Sequence, residues 1–113
     1  MRAYRFGWYG DNDLGELLIQ RILAGRKTAT TCPAYDPEEA AVGETLRLVD
    51  KTGKTRGMIR ITGSEVRRLG DFDEGTATRL GMTLEEIRAN AAVANSREVR
   101  SDEEMRITYF ELA

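Results

Sequence analysis

The chain has 113 residues, a formal net charge of −2, one cysteine and no histidine. That length supports a single domain, residues 1–113, around one core, and 41% apolar with 32% charged residues is globular rather than disordered composition. Imidazole acid–base chemistry and a His/Cys metal cage are excluded, so no cofactor is expected, and lysine, hydroxyl and carboxylate groups must carry any catalysis.

Tyr4, Phe6 and Trp8 alternate, which predicts a first strand. Asp11-Asn12-Asp13 supplies helix N-cap chemistry. Leu14, Leu17, Leu18, Arg21 and Ile22 then recur at helical spacing, with Ile19 and Leu23 widening the stripe. Gly25 stands where a C′ glycine would end that helix. Residues 31–44 contain both prolines, Pro33 and Pro37, and read as a loop. Thr45–Val49 and Arg56–Thr62 read as two strands joined by a turn around Asp50-Lys51-Thr52-Gly53. A short helix is expected over Asp73–Leu80, with Gly75 weakening it. Thr83-Leu84-Glu85-Glu86 is a capping box, so a helix should run from there to about Val93. Met105–Leu112 returns to a strand pattern. The order predicts an α+β fold, a small, mostly antiparallel β-barrel with two or three helices on its side.

Apolar runs are only a few residues long, so no membrane partner is expected. The first residues lack the apolar region of a secretory signal, and a lone Cys32 suits a reducing cytoplasm. Charge is uneven. Residues 45–70 carry Arg47, Lys51, Lys54, Arg56, Arg60, Arg67 and Arg68 against Asp50 and Glu65, whereas residues 71–104 carry nine acids against four arginines. A basic middle can be a nucleic-acid face or simply solubilising charge, and a net acidic chain is a poor general binder of nucleic acid.

Directly after the first predicted helix stands Gly25-Arg26-Lys27-Thr28-Ala29-Thr30. Its Gly-x-Lys-x-x-Thr pattern resembles the signature of the ASCH family. The resemblance continues through Trp8-Tyr9-Gly10-Asp11, Val42-Gly43-Glu44-Thr45-Leu46, Ile59-Arg60-Ile61-Thr62, Leu80-Gly81-Met82-Thr83-Leu84 and Ile107-Thr108-Tyr109-Phe110-Glu111-Leu112, nearly the whole chain. It implies a PUA-like β-barrel. The 22–30 segment and the Met82-Thr83-Leu84 stretch are most similar to the small bacterial N4-acetylcytidine amidohydrolases. What that implies is an enzyme that removes the acyl group from the exocyclic amine of cytidine, without a metal, through a lysine, a threonine and a glutamate. Lys27 and Thr30 match the first two. The family glutamate falls at Leu80 here.

Amide hydrolysis needs a nucleophile, a proton acceptor, an oxyanion site and a proton donor for the leaving amine. Thr30 needs an adjacent base, and Lys27 can serve if burial or another cation lowers its pKa. In a helical turn the two share a face; in an extended chain they point oppositely. The bland reading of the same run is a helix C-terminal cap with cations answering the helix dipole.

Two acids are candidates for the missing carboxylate. Glu74 lies off the helical face of Leu80. Glu65 shares strand parity with Ile59 and Ile61 and would point inward with them unless Gly63 introduces a bulge. Glu65 is therefore the third expected catalytic residue, with Lys27 and Thr30. Tyr35, in the loop after the motif, and Arg26 are expected to contact substrate. The expected partner is a nucleoside. A non-catalytic RNA-binding module and a metal-independent ribonuclease are the competing functions, with RNA as partner.

Overall fold

A computed structural model describes residues 1–34, 40–95 and 101–113, side chains of 90–95 excepted. Five strands and three α-helices follow in the order β1 (Ala3–Arg5), α1 (Leu14–Leu23), β2 (Ala29–Pro33), β3 (Thr45–Val49), β4 (Thr55–Arg68), α2 (Glu74–Leu80), α3 (Leu84–Asn95) and β5 (Glu104–Leu112). A 3-10 turn at Leu69–Asp71 links β4 to α2. The sheet order is β1-β3-β4-β5-β2. Only β1 and β3 run parallel; the other three ladders are antiparallel.

The mostly antiparallel sheet was expected, but the barrel is loose: β1 and β2 are its two edges and no ladder joins them. The connection between those edges is α1, whose Ile19 and Ile22 are buried in a cluster with Phe6, Leu46, Leu48, Ile59, Ile61 and Phe110. A helix, not a fifth ladder, thus completes that layer. The buried stripe of α1 is Gly15, Ile19 and Ile22, while Leu17 and Leu23 stay over 40% exposed. A second cluster of Ala29, Leu69, Phe72, Ala77, Leu80, Ile87, Met105 and Ile107 lies under α2 and α3. No described helix is long and apolar enough to cross a membrane.

Local chemistry explains most boundaries. The hairpin at Asp50 closes as an Asx turn, its Oδ1 accepting from the Thr52 and Lys54 N–H groups. Asp73 caps α2 by accepting the Thr76 N–H, and Thr83 and Glu86 exchange the two bonds of a capping box at α3.

Three expectations are corrected. The first strand stops at Arg5, because Gly7, at φ +100°, turns the chain before Trp8; Phe6 is buried but Trp8 is 40% exposed. The 31–44 loop begins later, because 29–33 forms edge strand β2 against β5. Thr30, Thr31 and Cys32 are β-formers, and an edge strand tolerates Pro33. Finally, β4 carries the anticipated bulge: Ile61 pairs with Phe110 but Gly63 with Tyr109. One extra residue reverses the side-chain parity beyond it.

Candidate active site

The C-termini of α1 and α2 meet at Lys27. Helix α1 ends in a Schellman motif: Gly25 sits at φ +77°, its N–H bonds the Ile22 carbonyl, and the Arg26 N–H bonds the Arg21 carbonyl. Helix α2 ends the same way at Gly81, φ +73°, with the Gly81 N–H on the Thr78 carbonyl and the Met82 N–H on the Ala77 carbonyl.

Those bonds leave the carbonyls of Arg79, Leu80 and Gly81 to find partners; the segment after α1 supplies two of them and the last turn of α1 the third. The Thr28 N–H donates to Arg79 O at 2.7 Å. The Lys27 ammonium donates to Leu80 O at 3.0 Å. Arg21 Nη1 donates to Gly81 O at 2.9 Å. The negative pole of α2 is answered by two cations. So the Gly-x-Lys run does act as a helix cap, for α2 as well as for α1.

Lys27 is only 3% exposed. Burial, and then the nearby Arg21 cation, push its pKa from 10.5 down to about 7. No carboxylate pairs with it among the described residues. Burial thus favours the neutral amine, the form able to accept a proton.

The other expected catalytic residues lie elsewhere. Ala29 and Thr31 face the α2–α3 side of β2, where Ala29 joins the second core cluster, so strand alternation turns Thr30 to the opposite face, in register with Thr108. No hydrogen bond joins Lys27 to Thr30 among the described residues. The extended alternative thus describes this segment. Glu65, beyond the bulge, pairs with Ile107 on the Tyr109 face, not on the face of Ile59 and Ile61. It is held by Arg67, rather than by Lys27, and 39% of its side chain is exposed. Burial, then the adjacent Glu65 carboxylate, raise the Tyr109 pKa. Leu80 is buried, and what it offers Lys27 is its main-chain oxygen. Glu74 is exposed in the first turn of α2. Arg26 is exposed beside Lys27. Tyr35 lies outside the described residues.

Sequence reasoning missed several polar groups. Arg79 stacks 4.4 Å from the Tyr109 ring centroid and donates Nε to Thr28 Oγ1 at 3.1 Å. Arg67 Nη1 donates to Thr76 Oγ1 at 2.6 Å. The Thr31 hydroxyl is buried with no hydrogen-bond partner among the described residues. The Arg79–Thr28 contact joins segments 51 residues apart, which no local pattern announces.

Over the two helix ends opens a cavity of about 510 Å³, lined by Arg21, Arg26, Thr28, Arg79, Gly81 and Glu86 among others. Its size suits a small molecule. By contrast, the basic 45–70 segment is largely neutralised. Arg56 meets Glu16 and Asp50, Lys51 meets Asp11 and Asp13, Arg60 meets Glu111, and Arg67 meets Glu65. Solubilising charge is the reading these pairs favour.

Gly81 is fixed by both conformation and space. A Cβ there would lie 3.0 Å from Lys27 Cβ and 3.3 Å from Arg26 O. Gly81→Ala should therefore lower stability by about 1–3 kcal/mol, the range for a side chain held in the left-handed region. Urea unfolding of the variant measures this; an unchanged midpoint would show that the two helix ends can separate freely.

No family model matches the sequence, and no curated protein matches it. Solved structures do. A protein of Enterococcus faecalis V583 from family DUF984 superposes with a TM-score of 0.80 at 22% identity, over 100% of this chain and 77% of that one. An ASCH domain from Lactobacillus crispatus JV V101 superposes with a TM-score of 0.77 at 16% identity, over 97% of this chain and 79% of that one. The chain has an ASCH-like, PUA-like fold.

Proposed function

We propose that this chain is an amidohydrolase acting on N4-acylated cytidine, with Lys27 as the group that moves the proton. What supports the proposal is a buried lysine whose pKa is about 7, set behind Arg26 and Thr28, which line a cavity large enough for a nucleoside while Lys27 itself lies outside that lining. A lysine that only capped a helix would do so best fully charged and partly solvated. Burial instead poises this one to accept and return a proton near neutrality.

The reaction balances on that group. Neutral Lys27 takes a proton from the attacking oxygen as it bonds the acyl carbon. The bond from that carbon to N4 then breaks, and the ammonium returns the proton to N4, releasing cytidine; the acyl group leaves as its carboxylic acid when water attacks, or stays as a threonine ester that a water then hydrolyses. The resemblance assigns the attacking oxygen to Thr30; the position of Thr30 across β2 from the Lys27 side favours a water.

Incubation with N4-acetylcytidine, followed by the absorbance change to cytidine, tests the function. Turnover is expected in the native chain. Thr30→Ala should retain most of that rate if water attacks, and lose it if the threonine is the nucleophile. No release of cytidine by the native chain overturns the proposal.

The RNA-binding reading has weaker support: the segment expected to contact phosphates is occupied by ion pairs.

A further inference from the structure

The cavity over the helix ends is lined by three arginines and one glutamate in a chain of net charge −2. Arg21 is engaged, by the Gly81 carbonyl at 2.9 Å and by Glu86 at 3.4 Å. Arg26 and Arg79 are not: both are exposed, and no described carboxylate pairs with either. Among the other described arginines, Arg2, Arg56, Arg60 and Arg67 meet acids, whereas Arg47 donates to the Thr55 hydroxyl.

Arg79 is also preorganised. Its Nε is fixed on Thr28 Oγ1 and its plane lies over Tyr109, so the two Nη groups remain as a fork for an outside acceptor. The helix ends nearby would repel an anion, but Lys27, Arg21 and the Thr28 N–H already answer the terminal carbonyls of α2. Two guanidinium groups without a described carboxylate partner line this cavity, and guanidinium forks are the donors suited to phosphate oxygens.

The geometry points to a phosphate subsite at Arg26 and Arg79, which makes the ligand a cytidine nucleotide rather than the free nucleoside. Cytidine as the base component rests on the function proposed above; the phosphate subsite rests only on the two arginines and their cavity.

Calorimetric titration with cytidine and with cytidine 5′- and 3′-monophosphates separates the two. At least one monophosphate is expected to bind 10-fold or more tightly than cytidine. Arg79→Ala should remove about 10- to 100-fold of that affinity, the range for a charge-assisted hydrogen bond. Arg26→Glu, at an exposed position without a described ion pair, should weaken it with no change in unfolding midpoint, so the test does not depend on Arg79→Ala folding. Equal affinity for cytidine and both monophosphates, or tight binding unaffected by Arg26→Glu, overturns the subsite. So does a single-stranded RNA that binds far more tightly than either monophosphate, since the ligand is then a polymer. Arginine-dependent monophosphate binding by a chain that never hydrolyses N4-acetylcytidine or its monophosphates would sustain the subsite while the amidohydrolase reading fails.

Discussion

Lys27→Ala is expected to lower kcat/KM for N4-acetylcytidine by about 100- to 10,000-fold, the span attributed to a positioned acid–base group. The same change leaves the Leu80 carbonyl without its donor, so lost activity alone would not separate proton transfer from helix capping. Lys27→Arg makes that separation. A guanidinium can still donate to Leu80 O but cannot give up its proton near neutrality. A folded, inactive Lys27→Arg variant is the expected result. Near-native turnover in Lys27→Arg would leave Lys27 with a capping role only.

Acidity gives a second handle on the same residue. A base that must be neutral implies a rate that rises with pH and levels off above about 7. Stability follows from the same shift. Below pH 7 the folded and unfolded chains both hold the Lys27 proton, and the penalty of a buried ammonium is fully present. Between about 7 and 10.5 the unfolded chain keeps a proton that the folded chain has released, so this group makes stability rise with pH across that window. Lys27→Met should flatten that segment of the profile.

Features decided within one turn of chain were readable from sequence. Gly25 at the end of α1, Asp73 before α2 and the Thr83–Glu86 box each need only neighbours three to five residues away. The central hairpin belongs with them. What could not be read depends on pairing between distant segments. Glu65 changes face because β4 gains one residue against β5, and Gly63 marked the place without deciding the outcome. Lys27 finds a main-chain oxygen 53 residues away, and a carbonyl leaves no trace in side-chain pattern. Edge strand β2 went unread because Pro33 resembles loop chemistry and its order comes from β5. The motif therefore marked the segment where the two helix ends meet, while the long-range ladder and those ends determined which of its side chains share a face.

The largest effect on stability is expected at the start of α1, where a carboxylate is buried with only 1% exposure. Asp11 Oδ2 accepts the Trp8 and Gly15 N–H groups at 3.2 and 3.0 Å, and Oδ1 accepts the Asp13 N–H at 3.0 Å. Burial works to raise its pKa, but those three donors and Lys51 together hold it below the ordinary 3.8. Its contribution is therefore present above pH 3.8 and lost as pH falls below it. Asp11→Ala should destabilise the fold by about 3–5 kcal/mol, because three N–H groups lose their acceptor at once. Asp11→Asn is no gentle change either. With one amide oxygen for three donors, its NH₂ must face at least one N–H. Packing reinforces the same point, since a Cβ on Gly15 would stand 2.2 Å from Gly7 Cα and 2.9 Å from Asp11 Oδ2. Gly15→Ala should accordingly exceed 4 kcal/mol or prevent folding, against a total of about 5–15 kcal/mol for a domain. Urea unfolding at pH 7 measures all three. A loss under about 1 kcal/mol in both Asp11→Ala and Gly15→Ala would mean that the turn relaxes independently of α1. Otherwise this turn fixes where α1 begins, and with it where Gly25 and Lys27 emerge to meet the end of α2.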